Sequence, residues 1–468
     1  MLSNTLQNNL SLMLNQALLV IKRFPLPLLC ALAFFIISKN QLAVFIVNKN
    51  QLETLIIFFQ GLGILFCGCC WFIFFKLYTE SHKWSSVRYY LIGLPVFLII
   101  AYAIHKNLFT LCTFNLLGLG LFLSIFIAPF VGRQTNDGDV WQFNYDLWRH
   151  IGLTALVAIM LSAGIFAILA SLKFLLGFNF KDQLYVDTWL FITTFFCPVM
   201  VMFKIPTSFK TTESPHLGKV MRSLLLYVIL PILLIYDIIL HAYAAKIALE
   251  WNLPKGGIAY LVSIFNTIAV LTYFASYPLH KTSAIFAFFS KHLFKFMLVP
   301  LILLTIGVGN RIDQFGITEG RYAILLHLIW MTLIIVFSYV KQRDQLFKFS
   351  LSSIVVLFIF ASFGPWSITN VSNWSQTQRL EKVLEKHQIL INAKIRKASH
   401  PLTFSEELNI HSMVDYLVQN KKFDILKQWF DDPGSPKFSK DFESLTSTEI
   451  REAMGIELKI ENKKKSIK

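Results

Sequence analysis

Asp237 and His241 stand four positions apart in an apolar run over residues 221–245. On a helix that spacing sets both side chains on one face. A carboxylate and an imidazole held together away from water can relay a proton or form one corner of a metal site, so ionisable groups in such a run are functional candidates. One Asp and one His supply only half of a metal site. The structural alternative pairs Asp237 with a polar group of another helix and leaves His241 near the outer interface. His327, in a later apolar run, reads as a packed or interfacial histidine, or as a further member of the same polar path.

The densest ionic cluster is the island from Gly309 to Tyr322, which carries Arg311, Asp313, Glu319 and Arg321 between the apolar stretches 296–308 and 323–340. It reads as a short connection built around Gly316. In the structural reading Thr318 caps the following helix, Glu319 sits at its positive end, and the two arginines pair with Asp313 and Glu319. In the functional reading the planar guanidinium forks of Arg311 and Arg321 contact an anion or a lipid headgroup.

Other sets are incomplete. Cys67-Gly-Cys-Cys70 has soft-metal ligands but no His or carboxylate beside it, and it reads as small, weakly polar helix filler. The stretch from Arg133 to Asp139 has the acidic look of a calcium loop without the distal Glu, and is expected to be a solvated cytoplasmic loop. No phosphate-binding Gly-Lys-Ser/Thr, His-Glu-x-x-His or Gly-x-Ser-x-Gly motif is present. A lipid-linked sugar transferase would be expected to show an acidic pair in an early external loop, where only Glu53 is found. No catalytic residue, metal or cofactor is therefore assigned, and the balance leans away from an enzyme.

The elements that must position these groups are membrane helices. Hydrophobic residues make up 55% of the 468 and charged residues 15%, with a mean hydropathy of +0.58; soluble domains carry about a quarter charged residues. The formal charge of +16 is spread over many short loops, the pattern of membrane orientation rather than of nucleic-acid binding. Apolar runs begin at about Phe24 and recur to about Gly364, predicting an all-α polytopic bundle of about eleven spans over residues 24–366. Residues 1–23 are expected to be a cytoplasmic segment, and Phe24–Ile37 an uncleaved first span.

Lys and Arg favour the alternate loops that hold Lys22, Arg23, Lys204 and Lys210, which places the N-terminus inside. An odd span count then puts the island and residues 367–468 outside. That last segment carries charge throughout, with amphipathic patterns at Gln378–His387, Ile410–Val418 and Phe423–Phe430. Thr446 and Glu449 have capping-box spacing before a last short helix. A turn at Asp432–Pro436 and a basic tail from Lys463 complete a small helical extracytoplasmic domain.

The island, read from Arg311 to Tyr322, resembles the signature of a bacterial membrane family called domain of unknown function 4153. Val140–Asn144 resembles that family's aromatic cytoplasmic loop, and Trp251–Gly256 the loop before its eighth span. The exit from the last span is similar too, through Gly364, Pro365, Trp366 and Ser367, then Ser375, Gln376 and Arg379. Gly320 and Gly257 depart from it, at positions where Asn and an aromatic are usual. The resemblance implies a polytopic protein of the bacterial inner membrane and no assigned activity.

Three functions follow as expectations. The first is a non-enzymatic scaffold or sensor of the bacterial envelope. The second is a transporter or lipid-handling carrier using Asp237, His241 and His327, and the third a membrane-embedded transferase. The lipid bilayer is one expected partner, and an envelope protein or an anionic lipid the other.

Overall fold

The computed structural model describes residues 18–47, 52–106, 108–210, 217–250, 257–340, 345–398, 402–420, 423–431 and 441–456. Residues 1–17, the Trp251–Gly256 loop, the Asp432–Pro436 turn and the Lys463 tail lie outside these.

The described residues are mostly helical. Helices α1 (Pro25–Val47), α2 (Leu52–Ser81), α3 (Ser86–His105) and α4 (Leu111–Ser124) come first. They are followed by α5 (Asp137–Leu176), α6 (Gln183–Lys204), α7 (Lys219–Glu250) and α8 (Ile258–Ala275). Then come α9 (Ala284–Phe315), α10 (Glu319–Val340) and α11 (Leu346–Phe360). The C-terminal elements are α12 (Ile368–Lys386), a hairpin of β1 (Leu390–Ile391) and β2 (Lys394–Ile395), α13 (Phe404–Gln419), α14 (Phe423–Phe430) and α15 (Ser447–Ala453). Among the described residues, eight helices are long and apolar enough to cross a membrane, and three shorter ones (Pro25–Asn40, Leu111–Ser124, Leu346–Phe360) are apolar throughout.

Two compact units emerge. One holds residues up to Leu304 together with Leu326–Phe363; the other holds Thr305–Leu325 with Gly364 onward. The first is a bundle built by close approach at small residues. Gly68 lies against the Phe97 ring, so near that a methyl group there would fall 2.5 Å from it. Cys30, Phe72, Phe75 and Tyr89 form a buried cluster, tied by Trp71 Nε1 donating to the Gly93 carbonyl at 2.9 Å. Cys67 and Cys70, on either side of Gly68 in sequence, are buried.

Two helices widen into single π turns, at Phe191–Phe196 and Leu225–Ile229. Pro198 and Pro231 follow closely, and each lacks the N–H that would bond the carbonyl four residues earlier. A wide turn redistributes the freed carbonyls.

The cytoplasmic loop expected over Arg133–Asp139 and Val140–Asn144 is mostly helix. Asn136 caps α5 by accepting from Asp139 N–H at 2.8 Å. Val140, Trp141, Phe143 and Asn144 are buried, with Trp141 Nε1 donating to the Phe274 carbonyl at 2.8 Å. Asp137 accepts from the amides of Phe347 and Lys348, and so caps α11 from a distant part of the chain. The aromatic residues of this stretch are apolar enough to be drawn into packing, which a solvated loop would not allow.

The second unit has its own core, in which Leu380, Leu384, Ile410, Met413, Leu417, Leu426 and Ile450 are almost fully buried. Thr446 and Glu449 do form the reciprocal capping box at the start of α15, and Thr403 with Glu406 forms another at the start of α13. Asn392 and Ala393 both take positive φ, which matches the hairpin turn to the twist of its two short strands.

Candidate functional site

The island is helical except for three residues. α9 continues through Arg311 and Asp313 to Phe315, and only Gly316–Thr318 connects it to α10. Gly316 stops the helix: its φ is +65°, and its N–H returns to the Ile312 carbonyl at 2.7 Å. A helix end leaves carbonyls without intrahelical partners. Here those carbonyls are taken up by side chains from α12, within the second unit.

Gln376 donates to the carbonyls of Phe315 and Ile317 at 3.0 and 2.9 Å. Arg379 donates to Phe315 and Gln314 at 2.6 and 3.0 Å and reaches Asn409 Oδ1 on α13 at 3.2 Å. Ser375 Oγ accepts from the Ile317 N–H at 2.9 Å. The three sit so close that a Cβ on Gly316 would lie 2.5 Å from Arg379 Cδ and 3.0 Å from both Gln376 Nε2 and Ser375 Oγ.

The arginines and acids of the island find partners other than those the sequence predicts. Arg321 donates to the carbonyls of Phe315 and Gly316 at 3.0 and 2.7 Å. Glu319 accepts from the Tyr416 hydroxyl at 2.6 Å. Both Arg311 and Arg321 place their guanidinium carbons 5.4 Å from the centre of the Phe315 ring, a cation–π arrangement. Asp313 is exposed. Partial burial and the neighbouring Arg321 charge push the Arg379 pKa down from its ordinary value.

The exit segment is a second turn beside the first. Gly364 has φ +80°, with the Trp366 ring folded back on it. Its carbonyl accepts from Ser367 N–H and Asn370 Nδ2 at 3.1 and 2.9 Å. Ser367 caps α12 by accepting from Asn370 N–H. Tyr322 then donates its hydroxyl to the Trp366 carbonyl at 2.6 Å. Pro365 lies inside this turn, so Gly364–Ser367 and Ser375, Gln376 and Arg379 form one continuous brace around Gly316–Tyr322.

Helix α12 also buries a polar face, with Thr369, Ser372, Asn373, Gln376 and Thr377 all less than a tenth exposed. Ser372 Oγ, both Asn373 amide atoms and Thr377 Oγ1 have no hydrogen-bond partner among the described residues.

Elsewhere, in the first unit, Asp237 and His241 meet as their spacing predicts. His241 Nδ1 lies 2.9 Å from the Asp237 carbonyl and 3.5 Å from its Oδ1. Among the described residues Asp237 Oδ1 has no hydrogen-bond partner, so the expected polar group from another helix does not reach it. His327 is not bonded to this pair. Its ring lies 6.1 Å from that of Trp330, and its Nε2 is buried without a partner. Among the described residues no three His, Cys, Asp or Glu side chains converge as metal ligands would.

The profile of the family described as "Domain of unknown function (DUF4153)" matches residues 28–395. The chain belongs to the DUF4153 family. The matched region takes in the Gly316 turn and all of α12, and ends before α13, which supplies Tyr416. A relative described as "Uncharacterized protein PM1469", from Pasteurella multocida (strain Pm70), is 29% identical over 245 residues. That alignment covers 51% of this chain and 42% of the relative, so the chain spans less than half of that protein's length. No solved structure matches the chain.

Sequence reasoning on this DUF4153 chain picked out Ser375, Gln376 and Arg379 only through the family resemblance, with no role for them. Their i, i+1, i+4 spacing puts Ser375 and Arg379 on one face of α12, a weak signal that becomes specific only beside the carbonyls they meet. Tyr416 lay within the amphipathic stretch Ile410–Val418 with no role of its own, and Asn409 carried no signal.

Proposed function

We propose that the chain is a non-enzymatic scaffold or sensor of a bacterial inner membrane. In this reading the eight long apolar helices and the three shorter ones make about eleven spans, with the N-terminus cytoplasmic and residues 367–468 held on the far side. Helices of 14 or 15 residues, such as α4 and α11, are short for a bilayer core, and local thinning or packing against longer neighbours would accommodate them.

The observation that carries the reading is how the most charged cluster spends its donors. Arg321, Arg379 and Gln376 point at main-chain carbonyls of one turn. Catalytic clusters instead aim donors at a space where substrate charge develops. The geometry is that of a bracket joining the α9–α10 turn to the helical C-terminal segment. Such a segment would offer its outer face to an envelope protein.

Chemical cross-linking in intact cells tests this. The full chain should give a discrete adduct with an envelope protein, and a chain truncated after Thr369 should lose the adduct while its helical core stays in the membrane. Absence of any adduct with the full chain, or an adduct that survives truncation, would contradict the scaffold role.

A carrier is the second reading, favoured by Asp237, whose Oδ1 lacks a hydrogen-bond partner in a buried position beside His241. Asp237→Asn should then abolish proton-coupled flux in reconstituted vesicles, and unchanged flux removes the role.

A further inference from the structure

Helices α1 and α6 run antiparallel and touch at both ends. At one end Lys39 Nζ lies 3.5 Å from Asp187 Oδ2, and the rings of Phe35 and Phe191 meet edge to face at 5.3 Å. At the other end Arg23 donates to the carbonyls of Ile205 and Pro206 at 2.6 and 2.8 Å, while its remaining donors grip Glu80 of α2. Between these contacts the helices do not fill the space.

A groove of about 640 Å³ remains, walled by Pro25, Leu28 and Leu32 on one side and Phe195, Val199 and Phe203 on the other. Its volume lies within the range of small-molecule sites. Two backbone irregularities border it, at Phe24 just before Pro25 and in the π turn at Phe191–Phe196. Every wall residue is apolar, so nothing in the groove could orient a polar ligand. Hydrocarbon fits, because an unfilled apolar gap forfeits dispersion contacts on all its walls.

Length and charge narrow the occupant. From Val20 to Leu32 the groove extends over about 18 Å at the helical rise per residue, a little more than half of a hydrocarbon core of about 30 Å. That is the reach of one acyl chain within one leaflet. At the Arg23 end the groove residues Ile21 and Phe203 are followed directly by Lys22 and Lys204, both exposed. Lys204 Nζ lies 5.0 Å from the centre of the Phe203 ring. Neither lysine forms an ion pair among the described residues, whereas Arg23 beside them is fully engaged. Two ammonium groups on flexible stems suit a phosphate as point charges.

We propose that this groove holds one acyl chain of an anionic phospholipid, with its phosphate between Lys22 and Lys204. This is independent of the bracket at Gly316 and of the Asp237–His241 pair.

Native mass spectrometry of the full chain in detergent, given equal phosphatidylglycerol and phosphatidylcholine of matched chains, tests it. The wild type should retain phosphatidylglycerol in preference, by roughly five-fold for each lysine engaged. Lys22→Ala with Lys204→Ala should bring the two lipids to equal retention without disturbing the fold, since both side chains are exposed. Val199→Trp, which fills the groove, should lower retention of both lipids. Equal retention of the two lipids by the wild type would overturn the proposal. So would a folded Val199→Trp variant that keeps as much phosphatidylglycerol as the wild type.

Discussion

The Tyr416 hydroxyl donates to Glu319 Oε1 at 2.6 Å, joining residues 97 positions apart. Glu319 opens α10 and Tyr416 lies on α13, so this bond and the Arg379–Asn409 contact tie the bracket to the small helical core. A hydrogen bond to a charged acceptor stabilises by about 1.5–3 kcal/mol when buried, and this one is partly exposed. Tyr416→Phe is therefore expected to cost about 1 kcal/mol, read as faster hydrogen exchange in α13. Glu319→Gln keeps an acceptor and should cost less. Exchange unchanged in Tyr416→Phe would show that the bond contributes nothing.

Gly316 is the tightest point of the bracket. Alanine there must hold a left-handed backbone, at about 1–2 kcal/mol, and must also displace Arg379. Gly316→Ala should open the bracket, seen as new protease cleavage near residues 316–318. Part of the penalty is steric, so adding Arg379→Ala should cost less in the Gly316→Ala background than in the wild type. Strict additivity of the two changes in proteolytic stability would refute the contact.

Glu406 supplies a pH dependence. Its carboxylate accepts from the Thr403 hydroxyl and N–H and from Lys386, with His387 beside it. The Thr403 bonds first, then Lys386, hold its pKa down at about 2, against an ordinary 4.5. A carboxyl with a depressed folded-state pKa stabilises fully above the ordinary value and loses that contribution as pH falls towards the folded one. The second unit should therefore lose this support between about pH 4.5 and about pH 2. Thr403→Ala should raise the Glu406 pKa and move acid unfolding of α13 to higher pH, as followed by NMR titration. An unshifted titration of Glu406 in that variant would count against the assignment.

Sidedness is tested with one added exposed thiol. Ser444, exposed in the second unit, can be replaced by Cys in a chain whose exposed Cys112 is changed to Ser. A membrane-impermeant maleimide should label Ser444→Cys in spheroplasts without permeabilisation. Labelling that requires broken membranes would place the C-terminal segment in the cytoplasm.

The amphipathic stretches of the C-terminal segment and the capping box at Thr446 were legible in advance because they depend on neighbours three or four residues apart. Asp237 and His241 were legible for the same reason. The helical span of Arg311–Phe315 was not, since a dense run of charge looks like a loop until Gly316 is seen to end the helix. The loop expected at Arg133–Asn144 failed likewise, because burial of Trp141 and Asn144 depends on Phe274 and Phe126, far away in sequence.

Composition and periodicity by themselves determined that this is a chain of apolar helices followed by a polar helical segment, since both are sums over local residues. Only the tertiary structure decided the partners: Arg321 and Arg379 to carbonyls rather than carboxylates, Tyr416 to Glu319, and Arg23 to Glu80 and the chain after α6. The physical reason is that main-chain carbonyls left over at a helix end are the same in every sequence. Which donors reach them is set by how distant segments pack.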